Sequence, residues 1–306
     1  MASHLRNLAV AALALAAIIG EGGWRASRAA SVSFADFSDV SAWQLNGSAA
    51  QATNAGLAPV LRLTPAVSYQ AGSAFLSSPF AFNTNTSFQS SFQFQFSQFG
   101  GLGPADGLVF TLQSIGSGAL GSAGSGIGYE GLVPSVGVEL DSWDNGAIDS
   151  DSSNHVGVDL NGNIASAALS TNLPFNYADG SVNTAWIDYD GLVDLLEIRL
   201  SPSAIRPALP TLSASVDLTA ILGGSDAFVG FTAATGGGYE HHDVLNFSLT
   251  TFTSLGAPAS TNVPGPPPGM GVAVGLRFSR SLRRRIGAHG SSPIWGLTRP
   301  ITPPCG

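Results

Sequence analysis

The chain has 306 residues, enough for one large domain with a sizeable core. All 12 of its basic residues are Arg, which excludes a Walker-type phosphate loop and any Schiff-base lysine chemistry. Its single Cys, Cys305, excludes an internal disulfide and a Cys-based zinc centre, and only 10% of residues are charged.

In chain order, Arg6 precedes an apolar run over residues 8–19, and Ser27 and Ala29 offer small residues for cleavage. That is the layout of a secretory leader, and the run is too short for a membrane span, which needs about 20 apolar residues. Residues 1–30 are therefore read as a signal peptide, and the protein as secreted or held at the cell surface. Residues 31–260 carry 19 acids against Arg62, Arg199 and Arg206, a net charge of −16. A body this acidic repels nucleic acid and attracts cations.

Residues 31–256 are read as one domain, and from 31 to 253 the dominant period is two. Phe92, Phe94 and Phe96 alternate with Gln93 and Gln95, placing three rings on one face of a strand. Further strands are predicted over 60–64, 74–77, 107–113, 135–141, 155–161, 184–189, 195–201, 212–216, 227–233 and 245–252. Each is bounded by Gly, Pro, Asn, Asp or Ser. Only 218–222 reads as helical. Many short strands without helical crossovers imply an all-β, two-sheet antiparallel sandwich. The absence of a long repeat argues against a propeller or solenoid.

Residues 116–121 match a dinucleotide fingerprint letter by letter, Gly-Ser-Gly-Ala-Leu-Gly. That mechanism needs a helix opening onto the pyrophosphate, and the Ser-Ala-Gly-Ser-Gly-Ile-Gly that follows cannot hold one. Nucleotide binding is rejected.

The most informative stretch runs from Ser135 to Asn145. On a strand, Glu139 and Asp141 point to one face with Cα atoms roughly 6.5–7 Å apart, and both are expected to point inward. Two carboxylates this close repel unless a cation sits between them, and no Arg is near in sequence. A loop of oxygen donors follows, with Asp144, Asn145, Asp149, Asp151 and Asn154, and then His155 opens the next strand. Carboxylates, an amide and carbonyls suit Ca²⁺; one imidazole added suits a transition ion such as Mn²⁺.

Four pieces in register carry a family resemblance. They are Ala105-Asp106-Gly107-Leu108-Val109-Phe110; Val138 to Asn145 and on to His155; Trp186-Ile187-Asp188-Tyr189 with Leu195-Leu196-Glu197-Ile198; and Val229 to Gly236 followed by His242-Asp243-Val244-Leu245. Over about residues 31–252 the sequence resembles an L-type (legume-type) lectin domain, in a secreted bacterial version. The resemblance implies a concanavalin-like jelly roll that binds glycans or polysaccharide through metal-organised loops.

It further implies that Glu139 and His155 hold a transition ion and that Asp141 bridges it to calcium. The Trp143 carbonyl and the Asn145 side chain complete much of the calcium shell. A second bridging Asp falls at Ser150 by register, so Asp149 or Asp151 must supply it, with Asp151 preferred. Asp106, in a cis peptide with Ala105, and Asn145 face the sugar hydroxyls. Backbone donors are expected near Gly124 and Gly126 and from Gly237 and Gly238, and sugar-facing rings from Trp143 and Tyr239. His242 and Asp243 are expected to fix the closing strand. Such sandwiches often pair through sheet faces or edges, so a homodimer is a candidate state.

Two alternatives stay open at this point. Glu139-x-Asp141-x-x-Asp144 approaches the paired-carboxylate pattern of retaining glycoside hydrolases on similar sandwiches. A surface or matrix adhesion protein with a purely structural calcium clip is the other. Beyond residue 256, a Pro-rich linker, a short apolar run and Arg283-Arg284-Arg285 resemble a PEP-CTERM sorting tail. The apolar run is short and Gly265 stands where that motif has Glu, so 257–306 also reads as a disordered tail.

Overall fold

A computed structural model describes residues 30–224 and 226–253. The expected tail, and the leader apart from Ala30, lie outside them. Sixteen strands form in chain order: β1 Ala30–Phe34, β2 Trp43–Gly47, β3 Ala50–Thr53, β4 Pro59–Thr64, β5 Ala71–Leu76, β6 Phe80–Ala81, β7 Thr86–Gly101 and β8 Gly107–Gln113. These are followed by β9 Ser135–Asp141, β10 His155–Leu160, β11 Asn163–Ser170, β12 Val182–Asp190, β13 Leu195–Ser201, β14 Leu212–Ser215, β15 Asp226–Ala234 and β16 Gly238–Thr253. One short helix, α1 Leu218–Leu222, is capped by Asp217, whose carboxylate accepts the Ala220 amide, and ends at Gly223 with φ 76°.

The strands build two antiparallel sheets. One runs β14-β13-β12-β7-β16-β4-β3 with β1 added to β16; the other runs β11-β10-β9-β8-β15-β5-β2 with β6 added to β15. The alternation in β7 has the expected result: Phe88, Phe92, Phe94 and Phe96 are buried between the sheets. Phe92 meets Phe231 of β15 edge-on at 4.9 Å between ring centres, and Phe231 meets Phe247 of β16 at 5.4 Å. Such rings supply a large share of a sandwich's buried apolar surface, at about 2–3 kcal/mol each.

Five strands escape the sequence reading: β1, β2, β3, β6 and β11. They lie at sheet edges or pair on one side only, and their Ala, Ser, Asn and Gln residues lack the β-branched bulk that marks central strands. β7 and β16 are longer than expected, at 16 residues each, because they pair with each other along almost their whole length. The Gly-rich loop forms a three-residue 3-10 turn at Gly124–Gly126. Among the described residues no helix is long and apolar enough to cross a membrane.

Candidate functional site

Strand β9 is buried on both faces, and its alternation divides two chemistries. Val136, Val138 and Leu140 enter the core between the sheets. Glu139 and Asp141 therefore point the other way, out of the sandwich core, and this corrects the inward expectation. Both are nevertheless buried, and the Ser166 hydroxyl of β11, in the same sheet, reaches Glu139.

Antiparallel pairing brings His155 opposite Asp141 and Gly157 opposite Glu139. A Cβ on Gly157 would overlap both the Glu139 carboxylate and the Ser166 hydroxyl, so glycine keeps that space open. The ligand atoms of Glu139, Asp141 and His155 lie within 4.8 Å of one another, all three side chains buried. His155 Nδ1 sits 2.9 Å from the Ser152 carbonyl oxygen. A carbonyl only accepts, so Nδ1 carries the proton and Nε2 presents its lone pair to the cluster. That Nε2 has no hydrogen-bond partner and stands 3.4 Å from Glu139 Oε1 and 3.9 Å from Asp149 Oδ1.

The electrostatics are those of an uncompensated site. Burial first, then the Glu139 charge, pushes the Asp141 carboxyl well up. Burial also raises Asp149, and it raises Asp159 strongly, with Glu139 adding to both. Burial opposes a charge on His155, but Glu139 and Asp149 outweigh it and the net shift is upward. Several buried carboxylates sharing one imidazole, with no Arg among their partners, match the donor set of a divalent cation. The residues present fit calcium together with a transition ion.

The loop after β9 departs from the sequence expectation at one residue. Asp149 is buried and accepts the Asn145 amide at 2.5 Å, whereas Asp151 is exposed. Ser150 and Asp151 both adopt left-handed conformations, with φ of 55° and 54°, and this turns Asp149 rather than Asp151 toward the cluster. Trp143 is half-buried and donates its amide to Asp141 Oδ1 at 2.6 Å. Asn145 is half-buried beside it. Asp144 is exposed and accepts the Gly146 amide at 2.7 Å, an ordinary turn contact. The hydrolase pattern is thus split between a buried Glu139 and a surface Asp144.

Asp106 stands at the entry of β8, after a cis Ala105–Asp106 peptide. Its carboxylate is 4% exposed and Oδ2 has no partner. Burial pushes its pKa up to about 6, with His242 pulling it down and Glu240 adding to the rise. The glycine packed against that carboxylate is Gly236; a Cβ there would lie 3.2 Å from Oδ2 and 3.6 Å from the Gly124 Cα.

The other ligand-loop residues divide. The Gly124 amide donates to Thr235 and the Gly126 amide to Ala123, so both are engaged within the fold instead of being free for a ligand. Gly237 is half-buried beside Gly236, while Gly238 is buried where a Cβ would meet the Gly103 carbonyl and Ala105. The Tyr239 ring covers Gly100 and Gly101 of β7 rather than Asp106. Trp143 places its indole edge near Gly103.

His242 and Asp243 fasten the closing strand. His242 Nδ1 is 2.6 Å from Thr64 Oγ1, and Asp243 takes a two-pronged ion pair from Arg62 at 2.8 and 2.7 Å. His241 Nδ1 accepts the Ala66 amide at 2.7 Å.

Sequence reasoning missed Asp159 and Ser166. The Ser166 hydroxyl reaches Glu139 Oε1 at 2.6 Å and Asp159 Oδ1 at 2.7 Å. The signal for Asp159 was present, because it lies two and four positions beyond Gly157 and His155 and so shares their face of β10.

Residues 29–263 match the family described as Legume lectin domain. The L-type lectin-domain containing receptor kinase VIII.1 of Arabidopsis thaliana is 31% identical over 209 residues, covering 65% of this chain and 28% of that protein. The chain thus spans less than a third of that relative's length. Among solved structures, metal-free lectin I-B4 from Griffonia simplicifolia is 29% identical with a TM-score of 0.60, covering 72% of this chain and 98% of that one. The acidic winged bean lectin complexed with methyl-α-D-galactose is 25% identical with a TM-score of 0.61, covering 74% and 100%.

Proposed function

The chain belongs to the legume lectin domain family, and from that premise we propose that it binds carbohydrate at a site built on a divalent-cation centre. The observation that carries the reading is Asp106, a buried carboxylate with an unpartnered oxygen set beside the buried Glu139–Asp141–His155 cluster. A carboxylate acceptor and a neighbouring amide, Asn145, suit the paired hydroxyls of a sugar. Burial of Asp106 strengthens its contact relative to water.

Glu139, Asp141, Asp149 and His155 would hold the metals, Ca²⁺ and also Mn²⁺, with the Trp143 carbonyl and Asn145 side chain completing the calcium shell. Held by these residues, the cations would add positive charge to the cluster and restrain the loop carrying Asn145 and Trp143. Gly236 leaves Asp106 reachable, since any larger residue would crowd Oδ2. The Trp143 ring offers an apolar surface for a sugar's C–H face.

The leader carries the export part of the reading, a protein secreted or held at the cell surface. The winged bean relative's galactoside makes galactose-type sugars the first to try. The test is a glycan panel probed with the full chain in calcium, in chelator, and as Asp106→Asn and Asn145→Ala. Binding to a related set of glycans, lost in all three altered conditions, supports the reading. Binding indifferent to chelator and to Asp106→Asn overturns it.

A further inference from the structure

A second buried acidic group lies behind Asp106, and neither the metal centre nor the ligand contacts use it. Glu240, at the start of β16, is fully buried, and its Oε2 has no partner. Its Oε1 accepts the Ser142 hydroxyl at 2.5 Å and lies 3.1 Å from His242 Nε2. The chain of contacts continues from His242 Nδ1 to Thr64 Oγ1 on β4. Phe96 closes over the imidazole edge-on at 4.7 Å.

Ser142 is the junction. It is buried, follows Asp141 directly and precedes Trp143. Its amide donates to the Asp106 carbonyl at 3.0 Å, and its hydroxyl reaches that same oxygen at 3.2 Å. The main chain of the sugar-facing residue is therefore held by the residue next to a metal-cluster carboxylate. The hydroxyl of that residue is in turn fixed by Glu240. Burying a carboxylate costs several kcal/mol, so packing alone would be served better by a neutral residue of similar volume.

We propose that Glu240 and Ser142 are positioning residues for Asp106, forming the mechanical link by which occupancy of the metal loop sets the orientation of the ligand carboxylate. The inference rests on the cation-centre reading above. Ser142 lies between Asp141 and Trp143, so a cation held by the Asp141 carboxylate and the Trp143 carbonyl would restrain it. With its hydroxyl anchored to Glu240, Ser142 passes that constraint to the Asp106 carbonyl instead of swinging free. Without the anchor the metal loop orders by itself and Asp106 does not follow.

The experiment is amide hydrogen exchange on the full chain with calcium chloride as the only added ligand, so that no sugar need be known. In the unmodified protein, calcium is expected to slow exchange at the metal strand, residues 139–141, and at the Asp106 segment, residues 103–107, by about tenfold or more. Ser142→Ala and Glu240→Ala are expected to keep the slowing at 139–141 and lose it at 103–107. Glu240→Gln retains an acceptor for the Ser142 hydroxyl and is expected to restore most of it. Slowing at 103–107 that survives both alanine substitutions overturns the proposal. So does loss at both segments together, which marks Glu240 as merely structural, and so does an unmodified protein whose Asp106 segment ignores calcium. A protein that shows the expected exchange pattern yet binds no glycan would refute the lectin reading and leave this link standing.

Discussion

Two buried acidic regions of this molecule have opposite electrostatic fates. Where β16 meets β4, Asp243 is fully buried and Arg62 grips both its oxygens. On the outer face of β9 and β10, Glu139, Asp141, Asp149 and Asp159 are just as buried, with no Arg among their partners and a histidine Nε2 left bare. The first region is complete as folded. The second sets several buried carboxylates against a single imidazole, and a chain without lysine has few means of adding a further positive charge. Burial alone thus says little about function; burial without a counter-charge says a good deal.

The largest expected effect breaks the complete region. Arg62→Met leaves Asp243 buried and unpaired, at an expected cost of about 3–5 kcal/mol by denaturant unfolding. The loss should be the same with and without calcium. Chelation comes next and acts only on the other region: at calcium a hundredfold above its dissociation constant, removal is expected to cost about 2.7 kcal/mol. Thermal midpoints with and without chelator check this, and no shift would mean the cluster tolerates its own repulsion.

Gly157→Ala sharpens the contrast further. The added methyl displaces Glu139 or Ser166 and is expected to cost about 1–3 kcal/mol while abolishing the calcium-induced gain in thermal midpoint.

The pH dependence follows from Asp106, held at about 6 against an ordinary 3.8. Because the folded form binds this proton more tightly than the unfolded chain, lowering the pH from about 6 toward 4 adds stability through this group. Sugar binding runs the other way, since the acceptor must be ionised. Affinity measured by calorimetry in calcium is expected to fall as the pH is lowered, with the fall beginning below the metal-free value of about 6 because a bound cation would favour the carboxylate. The smallest effect separates two neighbouring acids. Asp149→Asn is expected to weaken calcium binding measurably, while Asp151→Asn, at the surface, should change stability by no more than about 0.5 kcal/mol.

Much of this was legible in the sequence, for reasons that also mark where legibility ends. Strict alternation over 92–96 located the middle of β7, and short runs bounded by turn residues located β8, β9 and β13, and with them the shared face of Glu139 and Asp141. The cluster's third member, His155, followed from the loop that returns the chain to the adjacent strand. Asp149 was not legible: two consecutive left-handed residues rotate it inward, and nothing in Asp-Ser-Asp announces which acid will turn. Gly236, which the sequence reading passed over in favour of Gly237 and Gly238 as ligand-loop residues, packs against Asp106 for a similar reason, since the approach of two loops decides it. Glu240 and Ser142 lie 98 positions apart, and their bond exists only after both sheets have closed.

The most direct test of the contrast is a calorimetric titration of the full chain with calcium chloride, repeated for Asp141→Asn and Arg62→Met. Saturable binding in the unmodified protein, lost in Asp141→Asn and kept by folded Arg62→Met, is the expected result. No binding in the unmodified protein, or binding that survives Asp141→Asn, would contradict the account.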